Sequence, residues 1–250
     1  MIHTIALREF KNQFLSPLAW TILAVLQFIF AYLFLTQVEA FNSFQTRLAG
    51  VDNAPGLTDV IVMPLFANAA VILLLVTPLL TMRLICEERR NKTLSLLLSA
   101  PLATYEIILG KYLGVLALLM SVVMLMTLMP LSLLVGGTLD FGKLFSNVLG
   151  LTLLVSAFSA VGLYMSAIAG HPTVAAISSF GLLILLWMLD ISRSIRGNSS
   201  ELFDYLSMLN HFQSLQTGLL NTEDISYFLL FIATFLFLSI RRLENDRLQK

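Results

Sequence analysis

Four long stretches of this chain contain no Asp, Glu, Lys or Arg: residues 12–38, 60–82, 112–139 and 144–189. A fifth such stretch, 225–240, is shorter. A helix needs about 20 mainly apolar residues to cross a bilayer. The run 144–189 has 46 residues, too long for one ordinary span, and Gly170-His171-Pro172 stands near its middle, so it divides into two helices. Six spans result. The expected fold is an all-α integral membrane domain over residues 1–250, with spans near 17–38, 60–82, 106–138, 144–169, 173–189 and 225–241. No soluble remainder exceeds about 35 residues, which excludes a separate catalytic domain of typical size, roughly 50 residues or more.

Six spans put both termini on one side. That side holds 1–11, 83–111, 171–172 and 241–250, with 11 Lys/Arg and 6 Asp/Glu. The opposite loops, 39–59, 140–143 and 190–224, hold 4 Lys/Arg and 9 Asp/Glu. The excess of Lys and Arg marks the first set as cytoplasmic. The N-terminus does not read as a cleavable signal: the apolar run after Phe14 exceeds a signal core of about 7–15 residues, and no small-residue cleavage site follows. The single cysteine, Cys86, falls in a cytoplasmic loop, where one thiol makes neither an internal disulfide nor a metal site.

Along the chain, Ile2, Ile5, Ala6, Phe10 and Phe14 recur at helical spacing, with Arg8, Glu9 and Lys11 elsewhere. This suits a short helix lying in the cytoplasmic interface; the competing reading is a cytoplasmic extension of helix one. Ser16-Pro17 is a cap and first-turn pair, so helix one starts there and ends near Val38. Gly50, Asp52, Asn53, Pro55 and Gly56 shape an outer loop. Pro78 stands where it would kink helix two. Gly136-Gly137 closes helix three, and the short turn 140–143 makes helices three and four a tight hairpin. Gly162, Ser166 and Gly170 lie at four-residue intervals on helix four, and Gly110 and Gly114 form a similar pair on helix three. Small residues on one face allow close backbone approach. Residues 200–220 are amphipathic, with Leu202, Phe203, Leu206, Leu209, Phe212, Leu215 and Leu219 every three or four positions and Ser199 or Ser200 as cap. They are too polar to span and are expected to dip into the outer interface before helix six, or to pack on the bundle as an ordinary surface helix.

Motifs that carry chemistry are few. A phosphate-binding G-x-x-x-x-G-K-[ST] is missing: Gly110-Lys111 is followed by Tyr112 and lacks the upstream glycine. The chain is therefore not expected to bind ATP itself. It has no H-E-x-x-H and no cysteine cluster, and nothing that suggests a resident cofactor, a metal or nucleic acid. No ionisable residue other than Cys or Tyr lies deep in an expected span. Ion-coupled carriers and intramembrane hydrolases need polar groups at that depth, so both classes are disfavoured.

The charged exception is residues 83–111. Arg83/Glu87 and Glu88/Lys92 are i,i+4 pairs, which favour a helix. Leu94, Leu97 and Leu98 give it an apolar side, and Pro101 stops it. Thr104 is the expected cap of the following helix, with Glu106 in its first turn. The expected element is a short cytoplasmic helix joined to helices two and three. Carboxylates beside basic residues suit a docking surface, because complementary charge fixes register; the plainer alternative is a solvated loop whose charges only set topology.

The segment TMRLICEERRNKTLSLLLSAPLATYEIILGKYLG resembles the loop between helices two and three of ABC-2 type permeases, most nearly the gliding-motility class. Phe14-Leu15-Ser16-Pro17 is similar to the start of helix one in that class, and His211-Phe212, Gly218, Asp224, Tyr227-Phe228 and Arg241-Arg242-Leu243-Glu244 to its final third. Asn91-Lys92 and Ser95 depart from the family pattern, where Lys/Arg-Gly and Glu are common. The resemblance implies a half-transporter of the bacterial inner membrane: a second copy or a related permease completes it, and each copy receives a separate ABC ATPase that binds the ATP and Mg. The loop helix would be the coupling helix, with Glu87, Glu88, Arg89, Thr93, Leu94 and Leu97 in contact with that ATPase. The path would lie between the copies, lined by helices two and five, and the expected function is export. The alternatives are a mechanical transmitter to extracytoplasmic partners and, with less support, an ATPase-independent channel or carrier.

Overall fold

The computed structural model describes residues 2–48, 56–94, 102–135, 139–196 and 207–248, with no side-chain description for Leu18, 44–48, Val135 or 189–196. Among these residues every regular element is helical. They are α1 (Ile2–Leu15), α2 (Pro17–Leu48), α3 (Met63–Thr81), α4 (Cys86–Arg90), α5 (Thr104–Leu131), α6 (Phe141–Ile168), α7 (Pro172–Arg196), α8 (Met208–Gln216) and α9 (Thr222–Leu248). A π-helical turn, Thr58–Val62, leads into α3, and a 3-10 turn, Ser132–Val135, follows α5. Five helices are long and apolar enough to cross a membrane, and the apolar part of α7, Pro172–Met188, is shorter.

Lipid tails are as apolar as leucine, so burial of apolar side chains drives helix association weakly in a bilayer; close packing and hydrogen bonds decide. α6 is the centre for that reason. Two-thirds of its most apolar stretch is buried, against roughly a quarter for α2 and α9. It packs against α3, α5, α7, α8 and α9. Its buried face carries Ser156, Ala157, Ser159, Ala160 and Gly162, all small. The hydroxyls cause no penalty there: Ser156 donates to Thr152 O at 2.6 Å and Ser159 to Val155 O at 2.7 Å, within the helix itself.

Polar contacts sort the loops into two ends. At one end α1, α4, the start of α5, the junction of α6 with α7 and the end of α9 come together. At the other, Lys143 pairs with Asp59 at 2.6 Å, Asp140 N donates to the Thr58 hydroxyl at 3.1 Å, and Asn147 donates to Gln216 O at 3.1 Å. These are the same two groups of loops that the charge count separates.

Several boundaries differ from the sequence expectation. α2 runs to Leu48 rather than Val38, because no breaker intervenes before Gly50. α5 ends at Leu131 rather than 138: Pro130 lacks an N–H, and the chain tightens into the 3-10 turn directly after it. α7 and α9 extend beyond 173–189 and 225–241 with charged ends. Thr104 is the first helical residue and Ala103 the cap; Glu106 reaches back to accept from Ala103 N at 3.2 Å. Pro78 sits inside α3, which continues through it. Asp140 caps α6 through Oδ1, accepting from Gly142 N at 2.9 Å and Lys143 N at 3.2 Å. Ser207 caps α8; Ser199, Ser200, Leu202, Phe203 and Leu206 lie outside the described residues, as do Gly136 and Gly137.

Candidate docking site at the α4 end

The charged segment after α3 is not one continuous helix. α4 has five residues, Cys86–Arg90, and the chain then turns at Asn91-Lys92, with Lys92 in the left-handed region at φ 58°. The i,i+4 pattern therefore does not carry through to Pro101. Sequence favoured a helix there because Glu88 and Lys92 could pair; instead Glu88 faces inward and meets Lys111 Nζ at 2.8 Å. Lys111 lies on α5 and its side chain is only 5% exposed. Glu9 of α1 approaches the same ammonium at 3.5 Å. One buried cation thus joins α1, α4 and α5.

Arg89 points the other way into the bundle. Its guanidinium donates to Ala167 O, the last turn of α6, at 2.7 Å and pairs with Asp246 of α9. Arg242 of α9 also approaches Asp246, at 3.8 Å. α6 supplies a third tie. Ser166 Oγ accepts from Ile85 N at 3.0 Å and Cys86 N at 3.1 Å, and donates to Met82 O at 3.0 Å. An isolated helix of one and a half turns is unstable in water, and its first N–H groups need acceptors. Here the cap of α4 comes from another helix. Cys86 is fully buried, with its thiol 3.4 Å from Ala169 O.

The candidate contact residues divide accordingly. Glu87 and Thr93 are exposed, together with Arg83, Arg90 and Asn91. Glu88 and Arg89 are half-buried in the ties just described, and Leu94 is buried. Leu97 lies outside the described residues.

The small residues are placed unequally. A Cβ on Gly162 would collide with the Thr81 side chain of α3. Ser166 is the cap of α4. Gly170 is exposed, with nothing near it. Gly110 and Gly114 form the seat of α1: a Cβ there would stand 2.7 Å from the Ile5 Cβ and 2.6 Å from the Glu9 Cβ. Sequence missed the buried pairing of Lys111, which it read as a failed phosphate loop and as part of the permease-like segment. Its position one residue before a charge-free run, between two notch glycines, was the available signal.

The opposite end holds a second buried cluster. His211 Nδ1 lies 2.6 Å from Asp224 Oδ1, Ser214 donates to Asp224 Oδ2 at 2.7 Å, and the imidazole stacks on Tyr227. The serine bonds to the carboxylate, so the arrangement fixes α8 on α9; a nucleophile paired with a base would need a serine–histidine bond. Among the described residues no group of three or more His, Cys, Asp or Glu is placed to hold a metal.

The family profile for ABC-2 family transporter proteins matches residues 3–248, nearly the whole chain. The chain belongs to that family. None of the curated proteins compared with it matches. As an ABC-2 permease it is a multi-pass membrane component of an ABC transporter, a class of transport subunit that is not typically catalytic.

Proposed function

We propose that this permease is an exporter subunit, completed by a second copy or a related permease and driven by a separate ATPase that docks on α4. One observation carries the reading. α4 is tied to α5, α6 and α9 by polar bonds on its inner side, and through Lys111 to α1, while Arg83, Glu87, Arg90 and Asn91 stand exposed on the other. A partner pressing on that exposed side would move four other helices with it. The same end carries the excess of Lys and Arg, which supports a cytoplasmic face with both termini in the cytoplasm of a bacterial inner-membrane protein. Six crossings fit the contacts: α7 begins beside α4 and packs on α8 at the other end.

Among the described residues, exposure favours Glu87, Thr93, Arg83, Arg90 and Asn91 as docking candidates, with Glu88 and Arg89 acting from behind; Leu97 stays a candidate. Glu87→Lys then reverses a charge on an exposed position, where substitutions change stability by about 0.5 kcal/mol or less. Like charges brought together at an interface cost several kcal/mol. The expected outcome is a variant that inserts and dimerises normally but loses the ATPase on co-purification, while the native pair hydrolyses ATP and the permease alone does not. Retention of the ATPase by Glu87→Lys removes Glu87 from the interface. ATP turnover by the purified permease alone sinks the two-subunit reading.

A further inference from the structure

Side-chain amides are scarce in the long spans, and two of them lie deep: Gln27 of α2 and Asn68 of α3. Gln27 donates to Val122 O of α5 at 3.2 Å. Asn68 is exposed and makes no hydrogen bond among the described residues. Hydroxyls on the spans bond back to their own helix instead: Thr234 of α9 donates to Leu230 O at 2.7 Å, and Thr127 of α5 to Val123 O at 2.7 Å. At 1.5 Å per residue, Asn68 stands about 13 Å from Asp59 and about 22 Å from Arg83, the nearest charges along its helix. The hydrocarbon core is about 30 Å thick. The amide therefore lies inside it, and its short side chain reaches neither interface.

An amide left against lipid tails without a partner is strongly unfavourable. Another protein surface or the water of a path can supply the partner. The neighbours of Asn68 favour protein. Val71 and Leu75 are exposed on the same face, with Ile72 partly buried beside them. The opposite face, with Leu65, Phe66, Ala69 and Leu73, is buried in the bundle. One Asn on an otherwise apolar stripe is the pattern of a helix contact, where the polar residue fixes register. Towards the inner end the stripe changes use, since Leu79 lines a hollow beside α1.

Two copies inserted in one orientation are related by an axis along the membrane normal, so α3 meets its copy in parallel and a residue at the axis meets itself. Few polar side chains are complementary to themselves. Carboxylates and ammonium groups repel their copies, whereas a carboxamide carries N–H and C=O together, and two can exchange bonds. We propose that Asn68, Val71 and Leu75 contact the same stripe of a second copy, with the two Asn68 amides paired across the twofold axis. The inference rests on the two-copy reading above and narrows it to identical copies.

In a Cys86→Ala background, full-length permease carrying Asn68→Cys is oxidised in isolated membranes. A disulfide-linked dimer is expected, and Leu230→Cys, on the exposed face of α9, should give far less. Asn68→Leu should raise the dissociation constant of the dimer in detergent about 3- to 30-fold, the loss of hydrogen bonding between membrane helices, while Asn68→Gln keeps the pairing. A dimeric permease in which Asn68→Cys forms no disulfide overturns the proposal and leaves the two-copy reading standing. Labelling of the Asn68→Cys variant by a membrane-impermeant thiol reagent overturns it too, by placing the position in water, as does an unchanged dissociation constant in Asn68→Leu. A permease that stays monomeric with its ATPase bound sinks the two-copy reading itself.

Discussion

Gly162 and Gly170 are alike in sequence and unlike in place. The first presses against Thr81 where α6 crosses α3; the second is open. Gly162→Ala overfills a packed crossing and should destabilise by about 1–3 kcal/mol. Gly170→Ala should stay within about 0.5 kcal/mol. Unfolding midpoints of the two variants in the same detergent check this, and equal midpoints would mean that the α3–α6 crossing can open without loss. The difference was not legible in the sequence, because small-xxx-small spacing says which residues share a face but not what faces them. Lys111 was hidden for a related reason. Its partners, Glu9 and Glu88, come from separate helices, and nothing local announces that the three meet.

At the scale of elements, the long helices and the amphipathic α1 and α8 were readable, and α4 was not. Charge-free runs located α2, α3, α5, α6 and α9, because the bilayer imposes length and apolarity on them. Ser16-Pro17 marked the junction of α1 with α2, where Pro17 is the first residue of α2. α4 was misread because its stability is borrowed. Side-chain pairs along its own surface suggested a longer helix, whereas its ties run outward to α5, α6 and α9. Ser166→Ala tests that dependence. It leaves the buried N–H groups of Ile85 and Cys86 without an acceptor, each worth about 1–3 kcal/mol. Hydrogen exchange across residues 85–91 should accelerate while the centre of α6 keeps its protection. Unchanged exchange at 85–91 would show that α4 holds its shape without the cap.

At the scale of the whole molecule, the contacts and the Lys/Arg count divide the loops in the same way, so orientation is open to a direct measurement. Cys86 is a poor reporter, since it is fully buried and would resist thiol reagents from either side. Asn91 is exposed two residues past the Arg89 clasp. In a Cys86→Ala background, Asn91→Cys should escape an impermeant thiol reagent in intact spheroplasts and react after lysis. Reaction before lysis would place the α4 end outside the cell and invert the proposed topology. α7 is a separate case. Its apolar stretch of 17 residues is about 25 Å long, short of a hydrocarbon core of about 30 Å. A crossing there would rely on neighbours, and α6, α3 and α8 pack against it.

The pairing of Arg89 with Asp246 joins positions 157 residues apart. Synthesis reaches Arg89 early and Asp246 only with the last helix. Until then Arg89 lacks its counter-charge, and α4 is held by its ties to α5 and α6. The last of the ties that fix α4 closes only when the final helix of the chain is in place.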